Sequence, residues 1–357
     1  MFATIAIFLA LIAVLILVHE AGHFFAAKKA GIKVEEFGFG FPPRIFGWRR
    51  GETVYSLNWI WLGGFVKIYG EEGEGHGDPK SFISRSIGVR GLIIAAGVLM
   101  NLVLAMAFLS AGHAIGLPTV VEGGMNAANL SQLKIQVIEV AKNSPAVSAG
   151  LAVGDVIRSI NGRAPSDVME VQKLVEAAAG KEIVLEIFHD NEPKTIRAIP
   201  RATPPEGEGP LGFAMVQTGI RKLPWYRAVP EGVKDTFVLT WLFLKALGQL
   251  FATLFTTGEF AADVAGPVGI AALTGRVAKL GLAHLLQFAA AISINLAIIN
   301  ILPFPALDGG RILFLIIEKI KGHPVSQRIE QAIHRFGFAF LITLMVMVTI
   351  KDITRFF

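Results

Sequence analysis

The sequence predicts a polytopic α-helical membrane protein with four transmembrane helices, a membrane-associated β-hairpin and an inserted α+β domain. Three observations carry this prediction. The 357 residues are 53% hydrophobic, with a mean hydropathy of +0.57, well above an ordinary soluble chain. Four apolar stretches approach the ~20 residues that cross ~30 Å of hydrocarbon. Between the second and third stretches the pattern changes to short alternating strands separated by Gly turns.

The first span, residues 1–30, opens MFATIAIFLALIAVLILVHEAGHFFAAKK. Phe2 to Val18 is uncharged, and Lys28 and Lys29 close the segment. No basic residue precedes the apolar run and no small-residue cleavage site ends it, so it reads as an anchor and not a signal peptide. The trailing lysines set its N-terminus outside. Residues 31–90 are rich in Gly and basic side chains, among them Lys33, Arg44, Arg49, Arg50, Lys67 and Arg90. That bias makes the segment cytoplasmic. Within it, ETVYSLNWIWLGGFVKIYG reads as two strands about a turn at Gly63-Gly64. Its aromatics, Trp59, Trp61, Phe65 and Tyr69, suit a membrane interface.

The second span is residues 91–112. Residues 120–204 then read as soluble and external: strands at Ile135–Val140, Val156–Ile160, Ile183–His189 and Lys194–Pro200, and a helix at Val168–Ala179. RATPPEGEGP reads as a linker. Residues 205–280 also hold FVLTWLFLKALGQLFATLF, interrupted by Lys245 and Gln249. The third span, residues 281–310, ends in NILPFPALDGG, and the fourth is residues 335–357. There is no cysteine, which excludes disulfides, iron–sulfur clusters and thiolate zinc sites. The net charge of +5 comes from Lys and Arg flanking apolar segments and is no nucleic-acid signal.

The first span carries ionisable residues where lipid disfavours them. His19 and His23 are four apart, on one helical face. Two imidazoles at that spacing grip one Zn²⁺. Glu20 beside them is the residue type that takes a proton from an attacking water and delivers it to a leaving amine. A charge at the centre of a span costs roughly 2.5–3.5 kcal/mol, so an idle cluster is disfavoured. A third ligand is needed, and the candidate is Asp308, an acid directly after the third span. Pro303 and Pro305 stop the helix before it, and Gly309 and Gly310 let the backbone bend toward the site. Asn295 and Asn300 lie deep in the same span. They serve either as interhelical hydrogen-bond donors or as groups that hold a substrate's backbone amides.

SPAVSAGLAVGDVIRSING and the strand order around it resemble a PDZ domain, which takes an extended peptide or a peptide C-terminus as an added strand. HEAGH on the first span, AGVLMN on the second and NILPFPALDGG on the third, with such a domain between the last two, resemble the site-2 protease family of intramembrane zinc metalloproteases. The nearest type is the bacterial regulator of sigma factor (sigma-E/sigma-W) protease with a single PDZ domain. GGFVKIYGE resembles the family's membrane-dipping hairpin, and VAGPVGIA a segment before its third span.

The resemblance implies one Zn²⁺ per chain held by His19, His23 and Asp308, with Glu20 as catalytic acid/base. It implies Asn295 and Asn300 near substrate, and Gly97 and Asn101 as a small-residue motif on the second span. It also implies single-pass substrates such as anti-sigma factors or remnant signal peptides, and a bacterial cytoplasmic (inner) membrane location. The alternative is a non-catalytic PDZ adaptor or chaperone with a structural metal site, which requires a fourth protein ligand. Parity completes the reading. Asp308 must reach His19 and His23 from the same side, so Phe237–Phe255 is expected to be an amphipathic helix at the outer leaflet and not a fifth crossing.

Overall fold

The computed structural model describes residues 2–121, 130–189, 192–205, 207–257 and 266–356. The first two residues of VAGPVGIA and the terminal Phe357 lie outside the described residues. The chain forms two compact units, Met1–Ala114 with Pro224–Phe357, and Ile115–Leu223.

In the first unit, α1 (Phe2–Lys29) runs unbroken through HEAGH and ends on Lys28 and Lys29, cations that a helix C-terminus favours. The chain then enters β1 (Val34–Arg50) and β2 (Thr53–Ile68). The expected turn at Gly63-Gly64 is corrected. The chain reverses at Gly51-Glu52, where Arg50 pairs with Thr53 and Gly51 has φ +62°. Gly63 and Gly64 lie inside β2, where they permit close approach. A Cβ at Gly63 would stand 2.7 Å from Cζ of Phe41, and one at Gly64 3.1 Å from Cγ2 of Ile16. Both strands bend, so Phe37 pairs with Tyr55 and also with Val66. Trp59 and Trp61 are exposed.

The unit continues with α2 (Ile87–Ile115) and, after the second unit, α5 (Trp225–Thr257), α6 (Pro267–Leu280), α7 (Leu282–Ile301), α8 (Asp308–Lys321) and α9 (Gln327–Phe356). Among the described residues, five helices are long and apolar enough to cross a membrane: α1, α2, α5, α7 and α9. The expected count of four is therefore not what helix length gives, and α5 is the addition. Its stripe of Leu239, Phe243 and Leu247 packs on Ala105 and Leu109 of α2 and on Ala290, Ile294 and Ile298 of α7. Lys245 and Gln249 lie on its exposed side.

The expected third span of residues 281–310 is corrected: α7 stops at Ile301 and Asp308 opens a separate helix. Pro303 and Pro305 bar continuation of α7. A Cβ at Gly309 would overlap the carbonyls of Ile301 and Leu302, and one at Gly310 would stand 2.9 Å from the Phe304 carbonyl carbon. Glycine is what lets α8 begin so close to the end of α7. The Ala306 N–H donates to Nδ1 of His334 at 2.8 Å, tying this turn to α9. At the other end of the bundle, the Gly269 N–H of α6 donates to Oδ2 of Asp352 at 2.7 Å. A Cβ at Gly275 of α6 would stand 2.9 Å from Oγ1 of Thr4, at the start of α1.

The second unit is a six-stranded antiparallel sheet in the order β3-β8-β4-β5-β6-β7. Its elements are β3 (Leu117–Val120), β4 (Ser131–Val140), α3 (Pro145–Ser148), β5 (Val156–Ile160), α4 (Val168–Ala177), β6 (Ile183–His189), β7 (Glu192–Ala198) and β8 (Phe213–Arg221). Ile135, Val137, Ile157, Val171, Leu185 and Leu211 are among the buried residues of its core. The Asn-Gly turn is formed as the sequence suggests, with φ +51° at Asn161 and +77° at Gly162. Asp167 caps α4, accepting from the Glu170 N–H at 2.7 Å. The predicted end of the domain at residue 204 is corrected: β8 lies beyond it and pairs with both β3 and β4.

Candidate metal centre

The site is built where α1 crosses α2. A Cβ at Gly22 would stand 2.9 Å from Cα of Gly97, so two glycines bring the backbones together. Gly97 also makes room for the imidazoles. A Cβ there would stand 2.8 Å from Cε1 of His19 and 2.6 Å from Cε1 of His23. The two rings meet edge to face, with centroids 4.8 Å apart.

Asp308 completes a compact triad. Its Oδ2 lies 3.2 Å from Nε2 of His19 and 3.4 Å from Nε2 of His23, and the two nitrogens are 3.2 Å apart. The Ile93 carbonyl lies 2.9 Å from Nδ1 of His23. A carbonyl only accepts, so Nδ1 carries the hydrogen and Nε2 of the neutral ring presents a lone pair to its neighbours. Asp308 Oδ2 is buried and finds no hydrogen-bond donor among the described residues. Converging lone pairs of this kind call for a cation. Ligands held at ~2.0–2.1 Å around a tetrahedral ion stand about 3.3–3.4 Å apart, which matches the triad. Two imidazoles and a carboxylate suit Zn²⁺. Among the described residues no other His, Asp or Glu joins the cluster. The closed four-ligand site that a structural metal requires is not formed among them.

Glu20 is partly buried next to His19, with its Cγ 3.2 Å from where a Cβ of Gly64 would be. The hairpin backbone thus lies against the face of α1 that carries Glu20. Of the other residues singled out in the sequence, Gly97 and Asn101 are part of the site, and Gly63 packs on the Phe41 ring. The Asn101 amide stands 3.1 Å from Nδ1 of His19. Asn295 and Asn300 lie on α7, whereas the triad is carried by α1 and α8. Asn295 is exposed and Asn300 partly buried on α7, beside the buried Ser293 and Ile294. Sequence reasoning missed the Ile93 carbonyl, which carries no side-chain signal, and Gly22, whose only signal is a small residue inside HEAGH.

The comparisons bear on what this geometry does. The profile of Peptidase family M50 matches residues 7–344. The regulator of sigma-W protease RasP of Bacillus subtilis is 31% identical, covering 99% of each chain. The zinc metalloprotease RasP of Geobacillus kaustophilus is 29% identical, covering 98% of this chain and 97% of its own. The regulator of sigma-E protease RseP of Escherichia coli is 29% identical, covering 98% of each. With a match of that length over a zinc-shaped triad, the chain belongs to peptidase family M50 and is a zinc metalloprotease.

Proposed function

We propose that the protein hydrolyses peptide bonds within or near transmembrane helices of single-pass membrane proteins, in regulated intramembrane proteolysis, with anti-sigma factors or remnant signal peptides as substrates. The observation that carries the proposal is the triad itself: two ligands project from an apolar helix and a general base stands beside them. His19, His23 and Asp308 would hold the ion. Zinc bound there supplies a Lewis acid for the scissile carbonyl and makes a water acidic enough to attack at neutral pH. Glu20 accepts the proton of the attacking water and passes it to the leaving nitrogen. A helical substrate shields its own peptide bonds, so it must first be extended. A strand laid beside β2 at Gly64 passes Glu20 directly. Asn295, exposed on α7, and Asn300, partly buried there, are the residues assigned to hold a substrate's amides. Arg311, one turn past Asp308, lines a cavity of about 400 Å³ with Glu71, Glu318 and His334.

The test is incubation of the purified protein in detergent with a candidate single-pass helix. Cleavage is expected to stop when a chelator strips the zinc and to return when zinc is restored. Cleavage that survives complete metal removal would sink the proposal.

The location proposed is the bacterial cytoplasmic membrane, with the triad near the cytoplasmic face and the second unit outside. In that unit, β3 covers β8 only over Thr218–Arg221, leaving the edge at Phe213–Val216 without a strand among the described residues. That edge is where a PDZ domain would add a peptide. Topology has its own support. Thr4 and Asp352, far along α1 and α9 from the triad, both meet α6. These contacts support a topology in which Ile115 and Leu280 lie on the same, outer side and α5 makes no net crossing. The chain has no cysteine of its own, so Lys222→Cys and Lys279→Cys give unique labels. Both are expected to react with an impermeant reagent on intact cells, and protection of either refutes this topology.

A further inference from the structure

We propose that Asn101 is a positioning residue: its side-chain carbonyl accepts the Nδ1 hydrogen of His19 and so fixes the tautomer that turns Nε2 toward the metal. The inference rests on the zinc reading of the triad. Asn101 is fully buried, at 0% exposure. Its side chain reaches Nδ1 of His19 at 3.1 Å, while Oδ1 has no partner.

The two ends of an amide occupy nearly equivalent positions, and the chemistry around them decides which atom sits where. With the NH₂ group against Nδ1, the ring hydrogen of His19 moves to Nε2. It then points at Oδ2 of Asp308 and Nε2 of His23, which lie 3.2 Å away. That tautomer has no lone pair to give a metal. With the carbonyl against Nδ1, Nδ1 carries the hydrogen and Nε2 is free to ligate. Each orientation leaves one amide atom without a partner, so hydrogen-bond count does not choose between them. The converging donors do.

The position of Asn101 is fixed independently. Its main-chain carbonyl accepts from Oγ of Ser293 at 2.7 Å, locking this turn of α2 to α7. Ile93, Gly97 and Asn101 are spaced by four and form one stripe of α2. Along that stripe, Ile93 sets the tautomer of His23, Gly97 clears room for both rings, and Asn101 sets the tautomer of His19. Both imidazoles thus have the outer partner that metal-bound histidines require.

The experiment compares Asn101→Leu and Asn101→Asp in the full chain. Leu keeps roughly the size and removes the acceptor; Asp keeps an acceptor. The readouts are metal affinity by chelator competition and the visible absorption of the Co²⁺-substituted protein. Leu is expected to weaken binding by about 10–100-fold, and Asp to stay within about threefold of the parent. A packing role at the α1–α2 crossing gives the reverse order, because Leu is tolerated and a buried carboxylate is not. Thermal melting of the metal-stripped proteins separates misfolding from lost affinity. Wild-type affinity in the Leu variant, or equal loss in both, overturns the inference. Failure of the parent itself to bind Zn²⁺ or Co²⁺ overturns the metal centre as well, which is a different result.

Discussion

Glu20→Gln is expected to lower turnover by about 10²–10⁴-fold, the usual worth of a positioned general base, with bound zinc unchanged. Gln has nearly the same shape, so the contact with Gly64 and the course of α1 survive. What is lost is a basic oxygen able to take a proton from water. Glu20 is not one of the three residues that converge as ligands, so metal content should be indifferent to the change. The measurement is a single-turnover rate on a detergent-solubilised single-pass substrate, paired with a zinc assay. Near-wild-type cleavage would show that another group performs the proton transfer.

Asp308→Asn is expected to remove metal and activity together. The carboxylate is the only anionic member of the triad, and its Oδ2 is buried without a hydrogen-bond donor among the described residues. A neutral amide beside two neutral imidazoles gives the ion no compensating charge. The loss of affinity should exceed the roughly 10–100-fold range that outer partners of ligands are worth. Zinc content after dialysis against a weak chelator measures it. Full occupancy in the variant would identify a different third ligand.

How much of this was legible in the sequence depended on the range of the signal. His19, Glu20 and His23 were readable because a helix repeats every 3.6 residues and an apolar helix makes polar residues conspicuous. Asp308 was readable as an acid next to hydrocarbon. Its place at the head of α8 was not, because Pro303 and Pro305 announce a stop and say nothing of what starts next. Gly63-Gly64 was misread because paired glycines mark a turn and a close backbone approach equally well. Here the partners, Phe41 and Ile16, are distant in sequence. The strand β8 was passed over for a similar reason. It follows a Pro- and Gly-rich stretch, and its pairing partners β3 and β4 lie far upstream. For α5, composition alone does not distinguish a stripe turned to lipid from one covered by α2 and α7.

The triad draws on opposite ends of the chain, with both histidines on α1 and the aspartate on α8. A polypeptide entering the membrane from its N-terminus carries the histidines from the outset and the aspartate only after α2, the whole second unit and α7 have been made. Until then α1 is a hydrophobic anchor without a complete ligand set. The ligand set is thus incomplete through most of biosynthesis. Order of synthesis does here what a removable pro-segment does for a secreted protease.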